Sequence, residues 1–116
     1  MYREIQIGEQ KVPFLCMASS NIYYKRVFHS DPFKDQSADD VGEKINFVLR
    51  MGYIMAEFAK ANDNGGSAYM AHLNEDGFVE WLGNFDNGAL LDAADEIVEV
   101  YNGQAAPSSK EKKDLA

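Results

Sequence analysis

The chain is poor in the residues that most chemistry requires. Among 116 residues there is one cysteine, and there are two histidines and three prolines. A lone Cys16 forms no internal disulfide. It sits in the apolar run FLCMA and reads as a small core hydrophobe. His29 and His72 fall in no HxxxH or HExxH spacing, and a single cysteine builds no structural zinc site. No GxSxG elbow surrounds any serine, and Gly65-Gly66 has no phosphate-loop pattern around it. Counting back from Gly65, Gly66 or Gly77 to the first position of a calcium loop lands on Lys60, Ala61 or His72, none of which suits calcium. The expectation is a non-enzymatic protein with no cofactor and no metal.

Long apolar runs are missing too. No stretch approaches the roughly 20 residues of a membrane span. The opening MYREIQIGEQK alternates where a signal peptide would carry an apolar block. A cytoplasmic location follows as the simplest expectation. Basic residues are few and scattered, and the formal net charge is -8. Nucleic-acid binders normally present a basic face that displaces counterions, so neither nucleic acid nor an anionic membrane is an expected partner.

What is abundant is helical patterning, with 46% hydrophobic residues. Val41 to Lys60 carries two apolar stripes, Val41-Ile45-Val48-Gly52-Met55-Ala59 and Phe47-Met51-Ile54-Phe58. Glu43, Asn46, Arg50, Tyr53, Glu57 and Lys60 are left to face water. A helix apolar over most of its circumference must be covered on two sides. Gly52 lies mid-helix, where glycine costs about 1 kcal/mol relative to alanine, and so marks a close approach by a neighbour.

The flanking segments assemble around this helix. Tyr2 to Ile7 alternates, Gly8 to Lys11 reads as a turn, and Val12 to Met17 is apolar again, giving a β-hairpin with Pro13 in or before an edge strand. Ser19, Ser20 and Asn21 open a helix with Ile22, Tyr23 and Val27 near one face, which Asp31-Pro32 stops. Phe33 to Gln36 reads as a connector. Ser37 to Asp40 reads as a capping box with Ser37 as the cap. After the NDNGG turn, Ser67 to Leu73 reads as a short helix. Asn74 caps a helix with the stripe Phe78, Trp81, Leu82 and Phe85. Asp86-Asn87-Gly88 then caps a last helix with Leu90, Leu91, Ala94, Ile97, Val98 and Tyr101 inward, ended by Asn102-Gly103. The fold class is mainly α: a small single-domain helical bundle around a central helix, with an N-terminal β-hairpin packed on it. The domain covers 1–103, and 104–116 is polar enough to be a disordered tail.

The order of these pieces carries a resemblance. A hairpin precedes ASSNIYYKRVFHSDPFKD; then come NFVLRMGYIMAEFAK, a turn, and the closing block DGFVEWLGNFDNGALLDAADEIVEVYNG. This succession, over residues 1 to about 103, resembles the tail assembly chaperones of long-tailed bacteriophages and prophages. The resemblance implies a mostly helical protein of the bacterial host cytoplasm that binds the tape measure protein and keeps its apolar helical segments soluble. Such a protein helps recruit tail tube protein and leaves the finished virion. It also implies a second, longer product made by ribosomal frameshifting, and Glu111-Lys112-Lys113 are residues that a slippery heptamer can encode.

Coating an apolar helix needs an apolar groove between helices. Tyr24, Phe28, Phe33, Tyr53 and Tyr69 lie outside the main stripes and are the candidate groove residues. Self-association of copies fits a coating role. The rival reading is a small acidic adaptor or inhibitor that docks a basic partner through Asp92, Asp95, Glu96 and Glu99. A second acidic group, Asp31, Asp35, Asp39 and Asp40, reads as a solvated surface or a docking face.

Overall fold

A computed structural model describes residues 1–103. The expected tail at 104–116, with Glu111 to Lys113, lies outside the described residues. Strands β1 (Tyr2–Ile7) and β2 (Gln10–Leu15) form an antiparallel hairpin in which Ile5 faces Val12 and Glu4 faces Pro13. The turn is shorter than the sequence reading had it. Gln10 and Lys11 pair with Ile7 and Gln6, leaving Gly8-Glu9 to reverse the chain, with Gly8 at φ 62°. Pro13 is tolerated inside β2 because both strands of a two-stranded sheet are edges. Alternation turns Ile5, Ile7 and Phe14 to one face, where all three are buried.

Helix α1 (Ser20–Phe28) follows. Its buried face is Ser20, Tyr24, Val27 and Phe28; of the expected face Val27 is buried and Tyr23 half-buried against the core, but Ile22 is 54% exposed, and Tyr24 and Phe28 take the inward positions. The helix stops at His29, whose φ of 55° is left-handed and whose N–H donates to the Lys25 carbonyl. The expected stop at Asp31-Pro32 is instead the start of a short helix, α2 (Pro32–Gln36), where a connector was expected. Proline suits the first helical position because its missing N–H would have no partner there, and the Asp31 carboxylate accepts from the Phe33 N–H. Ser37 ends α2 and caps nothing beyond it: its hydroxyl donates to the carbonyls of Phe33 and Lys34. The cap of the next helix is Asp40, which accepts from the Gly42 N–H.

Helix α3 (Val41–Ala61) is the centre of the molecule. Met51 through Ala56 are buried without a break. The hairpin, α1 and α2, and the later helices α4 (Ser67–Met70), α5 (Glu75–Leu82) and α7 (Ala94–Tyr101) all touch it. Tyr53, expected to face water, is 2% exposed. Its ring lies 5.8 Å from Phe78 and 6.0 Å from Trp81, both on α5. The helix is therefore covered on a third side. Gly77 permits this approach, since a Cβ there would stand 2.5 Å from the Tyr53 hydroxyl.

Helix α4 is shorter than the expected Ser67 to Leu73. Asn74 caps α5 as read from the sequence, accepting from the Gly77 N–H at 2.7 Å. The expected last helix is two helices. Asp86 caps α6 (Asn87–Asp92), and the chain re-enters helix at Ala94. Leu91, expected inward, is 40% exposed, whereas Leu90 and Ile97 are buried as expected and Val100 is buried as well. Gly103, at φ 73°, lies just past the end of α7.

Gly52 lies where α3, α5 and α7 converge. A Cβ at this position would meet Ile97 Cγ2 and Trp81 Cη2, each at 3.4 Å. A larger side chain must push α7 or the indole away. The substitution Gly52→Leu is expected to destabilise the fold by about 1–3 kcal/mol through overpacking. Thermal denaturation checks this: an unchanged Tm would show that α7 and α5 do not bear on the helix at this turn.

Candidate partner-binding groove

The candidate groove residues separate into core and surface. Tyr24 is fully buried, and its hydroxyl donates to Asp35 Oδ2 at 2.8 Å. Phe28 is 9% exposed, packed on Phe78 and capped by the Arg50 guanidinium 5.2 Å above its ring. With Tyr53 also inside, these three build the core and line no surface groove. The cause is local: α1 and α5 cover the sides of α3 that its two long stripes leave over. Tyr69 is half-buried, its hydroxyl donating to Glu57 Oε2 at 2.8 Å. Phe33 alone of the five is open to solvent, at 64%.

The acidic residues divide in the same way. Asp92 and Asp95 are exposed, but Glu96 and Glu99 each bind one arm of the Arg3 guanidinium at 2.9 Å. Arg3 shares the inward face of β1 with Ile5 and Ile7, and its side chain is only 12% exposed. The expected docking face from Asp92 to Glu99 is thus half consumed by a clamp joining β1 to α7. In the second acidic group, Asp31 and Asp40 cap helices, and Asp35 accepts from Tyr24 and from Ser30.

The apolar groove that the fold leaves open lies elsewhere than the expected groove residues. It runs between the N-terminal half of α3 and α7, has a volume of about 320 Å³, and is floored by Ile45, Val48, Ala94 and Val98. Val41 opens it at 68% exposure, and Gln36 lines it from α2. The Gln36 amide donates to Asn102 Oδ1 at 2.8 Å, tying α2 to the residue that follows α7. Lys44 stands on the α3 wall and Asp95 on the α7 wall. The signal in the sequence was the first stripe of α3, which begins at Val41, well before the buried block at Met51. A second apolar hollow, of about 290 Å³, lies among Leu15, Tyr23, Phe58 and Met70. A larger polar one, of about 600 Å³, mixes Lys34 and Arg50 with Asp35, Asp39 and Glu43.

Among the described residues no group of histidine, cysteine and carboxylate side chains is arranged to hold a metal ion. No helix there is long and apolar enough to cross a membrane. Cys16 is half-buried, with Sγ 3.8 Å from the Tyr101 carbonyl oxygen, and burial pushes its thiol pKa up. No protein family, curated protein or solved structure matches the chain.

Four tyrosines, Tyr24, Tyr53, Tyr69 and Tyr101, make stability sensitive to alkali, because burial pushes each phenol up. Burial, first, and the neighbouring Glu57 carboxylate push both Tyr53 and Tyr69 up to about 12. An unfolded phenol loses its proton near pH 10. Between about pH 10 and 12 the unfolded chain is therefore ionised while the native one resists, so rising pH favours unfolding. The urea midpoint is expected to hold up to about pH 9 and to fall beyond pH 10. Tyr69→Phe should flatten that decline in part. A midpoint that is level to pH 12 would show that these phenols titrate as if in water.

Proposed function

We propose that the protein is a tail assembly chaperone of a long-tailed phage or prophage. In this reading it works in the bacterial host cytoplasm and coats apolar helical segments of the tape measure protein until the tail tube closes around them. It acts by binding alone, with no cofactor. Tail tube subunits displace it, a longer frameshifted product supplies the contact with them, and the chaperone is absent from the virion. The observation that carries the reading is the α3 stripe itself. Val41, Ile45 and Val48 run out of the core into an open groove whose other wall is Ala94 and Val98. The helix-in-groove mode of recognition needs such a surface. The resemblance of the chain's ordered blocks to this family points to the same role.

The energetics suit a temporary coat. A buried client leucine contributes about 1.5–3 kcal/mol, so one short groove binds weakly. Many copies along one long client multiply that affinity, and each copy remains displaceable. Docking of a basic partner is the weaker reading, since Glu96 and Glu99 already hold Arg3.

Co-expression with tape measure fragments tests the proposal. The fragments are expected to be soluble with this chain and to aggregate without it. Val41→Asp should weaken client capture about tenfold while leaving Tm nearly unchanged, because Val41 is 68% exposed. Fragments that aggregate equally in both cases, or a Val41→Asp protein as effective as the parent, would overturn it.

A further inference from the structure

The two walls of the α3–α7 groove carry opposite charge. Lys44 projects from the α3 wall and Asp95 from the α7 wall, both exposed, with the apolar floor between them. Neither takes part in an ion pair among the described residues. The ends of the groove also differ, since Gln36 of α2 lines it beside the start of α3. From Val41 to Val48 the floor spans about 10 Å, or two helical turns. An occupant of that length presents apolar side chains at three- and four-residue steps, and its two flanks pass under the two walls.

We infer that this groove takes an amphipathic helix with acidic side chains along one flank and basic side chains along the other, and that these charges set which way the helix lies. The inference rests on the helix-coating reading and extends it. Apolar contacts along a short stripe are nearly indifferent to the direction of the bound helix. The flanks are not, because reversing a helix on its apolar face exchanges left for right. One direction sets acid against Lys44 and base against Asp95. The other brings like charges together at both walls. An exposed pair is worth only a factor of a few, so gaining two attractive contacts in place of two repulsive ones amounts to a preference of about tenfold. Repeated along a client, the same preference would align successive copies of the protein in one sense.

The probe is a synthetic helix with a leucine stripe, glutamates on one flank, lysines on the other, and a nitroxide at its N-terminus. Amide signals of the full chain are recorded as the probe is added. The nitroxide is expected to broaden signals at one end of the groove, either near Val41 or near Val48, with about tenfold bias. In a Lys44→Glu/Asp95→Lys protein the broadening should move to the opposite end. A second probe with lysine on both flanks should show no bias on the parent protein. Both substituted residues are exposed, and Tm confirms that the variant is folded. Broadening at the same end in both proteins, equal broadening at both ends, or no change in groove signals would each overturn the inference. Tape measure solubility relies on apolar burial and would be unaffected by a wrong charge assignment, so the two failures are separable.

Discussion

The structure depends on how closely the middle of one helix can be approached. Gly52 has no side chain, and a Cβ there would already stand 3.4 Å from both Ile97 of α7 and Trp81 of α5, so the two side chains pack directly over this position. That convergence closes the core. It draws α7 against the hairpin and α5 against Tyr53, and it leaves Met51 to Ala56 buried without interruption. A two-stranded hairpin is marginal on its own in water. Here its inward face, Ile5, Ile7 and Phe14, is fully covered, and Phe14 meets Trp81 edge to face at 6.4 Å.

The first strand and the last described helix are tied to the same centre. Arg3 on β1 binds Glu96 and Glu99 on α7, and Tyr101 donates to Asn21 on α1. These contacts fix α7 along one side of α3 and so determine which part of α3 stays open. From Phe47 onward α3 contributes to the core, while Val41 to Asn46 is exposed apart from the half-buried Ile45. The groove is the consequence of a helix longer than the core that covers it.

Much of this was legible in the residues. The limits of α3, the Asn74 cap, the Gly103 terminator and the hairpin follow from side-chain chemistry within a few positions, and such signals are local. Phase on short helices was harder to read. Tyr23 and Tyr24 are adjacent, and a nine-residue helix offers too few turns to decide between Ile22 and Phe28 as the inward residue. The split at Ala93 was hidden because both halves carry apolar residues at helical spacing. The open groove was the least legible part. Periodicity identifies apolar faces but not which of them another element will cover, and the partners that settle this lie far apart, as Val41 and Val98 do. Tyr24 and Tyr53 resembled surface residues because each has a polar end; the fold gives the Tyr24 hydroxyl a carboxylate and packs the Tyr53 ring against α5.

One helix thus combines a locked middle with an open beginning. Amide hydrogen exchange along α3 tests this most directly, read with and without a tape measure fragment. The amides of Met51 to Ala56 should exchange only through global unfolding in both conditions. Those from Ile45 to Val48, with Ala94 to Val98 on the facing wall, should exchange faster in the free protein and slow markedly when the fragment binds. Uniform protection along α3 in the free chain, or fragment-induced protection confined to another surface, would contradict the account.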